Sequence, residues 1–159
     1  MAVWRALRKS GAALVVSGVW TAPDLPAFTE HLPKVHELAR ARGGELMLFR
    51  ILDDGEWSSR SLREAFASAL RTTLAELEQD CERLDAEIAD ATVAQRFTFI
   101  ALDALELSLS RMQRRHRTLV ALDVLGLLET QHATGRVHES EARLAELRAR
   151  VQAVNDVAP

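Results

Sequence analysis

The chain has 159 residues, 48% of them hydrophobic and 27% charged, the make-up of a folded protein with room for a core rather than of a disordered segment. A net charge of −3 argues against a uniformly basic nucleic-acid binder, and a single cysteine, Cys81, excludes an intrachain disulfide and a cysteine-based zinc centre. The richest apolar run, residues 11–20, is interrupted by two glycines and a serine and leads to Thr21-Ala22-Pro23-Asp24, so neither a membrane span nor a secretory signal is expected. A soluble, cytoplasmic protein follows.

Residues 2–9 read as a short helix with Val3, Trp4 and Leu7 on one side and Gly11 as its stop. Two β-prone runs, 13–16 and 19–22, flank Ser17-Gly18, which is hairpin chemistry. Asp24 is placed to cap a helix with Pro26 in its first turn; Pro33 should break it near Leu32, and a second helical stretch carries Val35, Leu38 and Ala39 up to Gly43-Gly44. Residues 45–52 then read as a strand, weighted by Leu46, Leu48 and Phe49 and closed by Asp53-Asp54-Gly55.

From Leu62 the pattern changes. Phe66, Leu70, Leu74, Leu77, Cys81, Leu84 and Ile88 are spaced by fours and threes, which predicts one long amphipathic helix. A second helix is expected through Phe97, Ile100, Ala101, Leu105, Leu109, Met112, His116 and Leu119, fading near Gly126. Thr134-Gly135 reads as a turn, and Ser140 as the cap of a last helix with Leu144, Leu147, Val151 and Val154 inside and the pairs Glu139-Arg143 and Glu146-Arg150 outside.

Charge is unevenly distributed. Residues 76–90 hold seven acids against Arg83 alone, whereas Arg111, Arg114, Arg115 and Arg117 crowd one short helical segment. The first reading of that segment is a solvated face that pairs with the acidic stretch; the functional readings are phosphate contact with DNA and, behind it, capture of a small oxyanion. Arg5, Arg8 and Lys9 could extend it if the first helix packs nearby. His116, on the apolar stripe, is expected to be a hydrogen-bonded, partly buried histidine, Trp4 and Trp20 core anchors, and Cys81 an inert core thiol. Nucleophile elbow, phosphate-binding loop and metal-ligand spacing are all missing, so no catalytic residue, metal site or cofactor is expected.

The run Val3-Trp4-Arg5-Ala6-Leu7-Arg8-Lys9-Ser10-Gly11-Ala12, followed by Ser17-Gly18-Val19-Trp20-Thr21-Ala22-Pro23, resembles the start of the chromate resistance protein ChrB family. Residues 105–117 running into Asp123-Val124-Leu125-Gly126 are similar to that family's arginine-rich helix and the corner after it, although Leu122 stands where the pattern has an arginine. The resemblance implies the N-terminal half of a transcriptional regulator that represses a chromate-efflux operon. It would bind operator DNA, form a dimer, and respond to chromate as effector.

The fold expected is α+β: an incomplete ferredoxin-like unit over residues 1–54, then a helical hairpin or bundle over 55–159. Family members begin with a strand that this sequence lacks before its first helix. The missing strand could be encoded upstream of a wrongly assigned start, the favoured reading, or supplied by another chain, or replaced by a rearranged sheet. Two functions are weighed. One is a DNA-binding regulator contacting phosphates through Arg5, Arg8, Lys9, Arg111, Arg114, Arg115 and Arg117. The other is a non-catalytic interaction module that docks a partner on its acidic, heptad-like helix.

Overall fold

The computed structural model describes residues 2–51, 56–95 and 98–156, without the side chains of 56–59 and 156. Contacts divide it into two compact units, Met1–Thr72 with Ala121–Leu125, and Thr73–Val120 with Gly126–Pro159.

In the first unit, helix α1 (Ala2–Lys9) packs against α3 (Leu32–Arg40). Leu7, Phe28, Val35 and Ala39 supply its buried side chains, and Phe28 meets Phe66 edge to face with centroids 5.5 Å apart. The end of α1 is closed locally: the Ser10 hydroxyl donates to the Leu7 carbonyl at 2.8 Å, and Gly11 turns the chain at φ +82°. A Cβ on Gly11 would come within 2.7 Å of Leu122 and 3.0 Å of Phe28, so glycine is required there for space as well as for conformation. Strands β1 (Ala13–Val16) and β2 (Val19–Thr21) form the expected antiparallel hairpin, with Gly18 at φ +83° and a bulge between Leu14 and Val16.

Three sequence expectations are corrected in this unit. Helix α2 (Pro26–Thr29) has Leu25, not Asp24, at its N-cap and no side-chain cap; Asp24 lies one residue too early and instead pairs with Arg50 at 3.3 Å. Trp4 and Trp20 pack edge to face at 5.9 Å, but Trp4 is 42% exposed and lies under the Arg8 guanidinium, so the pair is a surface cluster, not a core anchor. Residues 45–51 form no strand, because among the described residues β1 and β2 pair only with each other and no neighbouring strand takes up the backbone groups of 45–51. Leu52, the Asp53-Asp54-Gly55 turn and Phe97 fall outside the described residues.

The α+β class holds, and the second unit is a bundle of three long helices. These are α4 (Glu56–Val93), which begins in the first unit, α5 (Phe99–Leu122) and α6 (Leu128–Asp156). Leu74, Leu77, Cys81, Leu84 and Ile88 of α4 are all buried, as their spacing requires. On α5 the buried line is Leu102, Leu105, Met112 and Leu119, while Ile100, expected inside, is 85% exposed. Partners between α5 and α6 run in opposite directions: Gln113 bonds Glu141, and Arg148 reaches Glu106, so the two helices are antiparallel.

The expected turn at Thr134-Gly135 does not exist. Helix α6 passes straight through it, since Ala133, Val137, Ser140, Leu144, Leu147 and Val151 make one buried line spaced by fours and threes. Thr134 turns its hydroxyl back onto the Thr130 carbonyl at 2.8 Å, and one glycine costs a helix only about 1 kcal/mol, too little to break it. Ser140 is therefore a mid-helix residue rather than a cap, and Val154 is exposed. The anticipated pairs on α6 are rearranged as well: Glu139 binds Arg136 and Arg143 binds Asp85.

A continuous α6 predicts the sign of one substitution. Gly135 has open space around a would-be Cβ and no positive φ, so Gly135→Ala should stabilise the chain by about 1 kcal/mol, seen as a higher urea midpoint at unchanged m-value. A turn at this position would give a loss instead.

Candidate functional site at the arginine-rich helix

Burial of Leu105, Met112 and Leu119 fixes the rotation of α5. At about 100° per residue, this sends Arg111, Arg114 and Arg117 outward and turns Arg115 to the side of α4. Arg115 there donates to Asp80 at 2.7 Å and to Glu76 at 2.6 Å, while Asp80 also receives Arg83. The pairing of the arginine run with the acidic stretch is thus real, but one arginine accounts for it. Arg111, Arg114 and Arg117 are exposed, and none forms an ion pair with another described residue.

Alongside them, α4 and α5 line a groove of about 260 Å³. Leu84 and Met112 are its buried apolar residues, and Arg83, Arg111 and Arg115 line it together with Asp80, Glu87 and Ser108. Because Asp80 engages both Arg83 and Arg115, Arg111 is the one arginine lining the groove with no carboxylate partner among the described residues.

A second network was not anticipated from the sequence. The Asp85 carboxylate is 9% exposed, and it accepts from Ser140 at 2.8 Å, from Arg136 at 3.2 Å and from Arg143. These partners stand four and three residues apart on α6, one face of that helix. Burial disfavours the charge of Arg136, but its hydrogen bond to Glu139 and the carboxylates of Glu139 and Asp85 outweigh this and raise its pKa. Asp85 adjoins the interior positions Cys81 and Leu84, and that placement was the available sequence signal.

Cys81 is fully buried beside this network, and burial pushes its thiol pKa up, partly offset by a hydrogen bond with Ser140. It stays protonated at neutral pH. His116 is hydrogen-bonded as expected, its Nε2 lying 2.8 Å from the Thr134 hydroxyl oxygen. That hydroxyl already donates to Thr130, so it can only accept, which places the imidazole proton on Nε2. Burial first, and then the nearby His138, lower the His116 pKa.

Arg5, Arg8 and Lys9 are exposed on α1 in the first unit, whereas the α5 arginines belong to the second, and each set is described within its own unit. Leu122, where the resemblance led to the expectation of an arginine, is buried close to Gly11 in the first unit and is a packing residue. Among the described residues no cluster of histidine, cysteine or carboxylate side chains could hold a metal, and no helix is long and apolar enough to cross a membrane.

The motif that opens the chain and the arginine helix near residue 111 fall within one family match. Residues 1–157 fit the family model described as "Protein ChrB, N-terminal". The chain belongs to this family. Membership in the ChrB N-terminal family implies a role related to chromate resistance. No curated protein and no solved structure matches the chain significantly.

Two measurements check the internal chemistry. Asp85→Ala strips Ser140 of its acceptor and two arginines of their anion. It should cost about 2–3 kcal/mol in chemical denaturation, below the loss for a fully buried pair because Arg136 and Arg143 both reach water. For His116 the folded pKa lies below the ordinary 6.5, so the unfolded chain takes up the proton first as pH falls. Its contribution to stability is present above pH 6.5 and is lost as pH drops through the lowered folded value. His116→Gln, which keeps a donor for Thr134, should flatten that part of the stability-against-pH curve.

Proposed function

We propose that this chain is a non-catalytic, DNA-binding part of a transcriptional regulator of chromate resistance, contacting phosphates through the outer face of α5. The observation that carries this reading is the contrast within one helix: Arg115 is engaged by two carboxylates, whereas Arg111, Arg114 and Arg117 stand exposed without one among the described residues. Spaced by threes, they drift by about 60° per step around the helix, a spread suited to successive phosphates more than to one compact ligand. Exposed Arg5 and Lys9 on α1 offer a further set of cations. Family membership supports the setting in chromate resistance.

Capture of a small oxyanion such as chromate in the α4–α5 groove is less favoured, because Asp80 and Glu87 line it and two of its three arginines, Arg83 and Arg115, are already ion-paired with Asp80 and Glu76. The reading as a partner-docking helix loses its main support as well: the heptad-like stripe of α4 is buried within the chain itself.

Binding of the chain to the DNA upstream of its own operon, measured by fluorescence anisotropy against salt, tests the proposal. Each phosphate contact contributes a slope of about −0.9 in log K against log salt, so replacing Arg111, Arg114 and Arg117 together by alanine should flatten the slope by about 2–3. Arg115→Ala should lower stability while leaving the slope nearly intact. An unchanged slope in the triple variant would remove α5 as the DNA surface.

A further inference from the structure

Charge along the α4–α5 groove is ordered by position. The two helices are joined by the short connection 94–98 and run antiparallel, with Arg115 meeting Asp80 at one end of the groove. Four residues on from Asp80 stands Leu84, and four back from Arg115 stands Arg111, both about 6 Å along the groove. Three residues further on each helix come Glu87 and Ser108, about 10 Å from the Asp80 end. At that first end Arg83 and Arg115 are answered by Asp80, and Arg115 also by Glu76. Arg111 and Glu87 have no hydrogen bond or ion pair with another described residue, and none joins them to each other. The Ser108 hydroxyl donates to the Ala104 carbonyl at 3.2 Å, so towards the groove its oxygen can only accept.

An open donor at the middle and two open acceptors at one end fit a ligand with the reverse pattern. We propose that the groove binds a short ω-amino acid, its carboxylate on the Arg111 guanidinium and its ammonium between Glu87 and Ser108. The two stations lie about 4–5 Å apart along the helices, a gap spanned by about two or three methylenes, which rest over Leu84 and Met112. Glu87, which counts against a simple oxyanion, is here the group that holds the ammonium. A ligand of one charge alone leaves either Arg111 or Glu87 unanswered. A volume of about 260 Å³ lies below the roughly 300–1,000 Å³ of sites for drug-sized molecules and suits a ligand this small. Nothing in this assignment requires the chain to bind DNA.

Titration of the isotopically labelled full chain with γ-aminobutyrate, followed by NMR, tests the site. The Arg111 side-chain Nε–H and Ser108 amide signals should shift and saturate at roughly millimolar ligand or below. Butyrate and butylamine, each carrying one of the two charges, should bind roughly tenfold or more weakly, because a charge-assisted contact is lost in each case. Arg111→Gln and Glu87→Gln should each weaken γ-aminobutyrate by a similar factor. Arg111→Gln should leave the weak binding of butylamine unchanged, and Glu87→Gln that of butyrate. A folding defect would not separate the two halves of the ligand in this way. Butyrate binding as tightly as γ-aminobutyrate, the behaviour of a plain anion site, overturns the proposal, as does butylamine doing so. Signals that stay in place at tens of millimolar γ-aminobutyrate overturn it as well.

Discussion

The buried carboxylate of Asp85 is the interaction on which the second unit depends. It sits one position beside Leu84 on the apolar line of α4, so it cannot leave the interior without dragging that line into water. Ser140, Arg136 and Arg143 of α6 are the groups that make its burial tolerable. Asp80 and Glu76, also on α4, hold Arg115 of α5. One helix thus carries apolar side chains inward and carboxylates to each of its neighbours, and the facing of both is set by the need to leave no charge buried alone.

The surface chemistry follows from that constraint. With Arg115 turned to α4 and Met112 and Leu119 inside, α5 has one rotation available, and it points Arg111, Arg114 and Arg117 to solvent. Four consecutive-looking arginines are therefore two kinds of residue: one is a fastener between helices and three form a surface. The distinction matters for function, because a neutralised guanidinium adds nothing to phosphate binding while an exposed one releases counterions. Membership in the ChrB N-terminal family supplies the setting in chromate resistance, and the division of the arginines is the chemical ground on which a polyanion is proposed as partner.

The elements most legible in the sequence were those whose pattern repeats. The stripe from Phe66 to Ile88 appears as the interior of α4, and Ser17-Gly18 as the corner of the hairpin, because periodicity and turn chemistry are local properties. Local signals misled where tertiary burial decided. Thr134-Gly135 looked like a turn and Ser140 like a cap, yet burial of Ala133, Val137 and Leu144 outweighs a weak breaker and makes α6 continuous. Reading Ser140 as a cap also hid its bond to Asp85, fifty-five positions away. Residues 45–51 show the reverse: their composition is that of a strand, but a strand needs a neighbour, and sequence alone does not say whether one is present. In the candidate site the arginine cluster was visible, whereas the removal of Arg115 from it was not, since that depends on which side of α5 meets Glu76 and Asp80.

The most direct test of this account is to follow the arginine side-chain Nε–H signals of the isotopically labelled chain by NMR while operator DNA is added. The account predicts that the signals of Arg111, Arg114 and Arg117 shift together as DNA saturates, while that of Arg115 keeps its position in its carboxylate contact. Movement of the Arg115 signal alone, or no movement in any of the four on DNA binding, would contradict it.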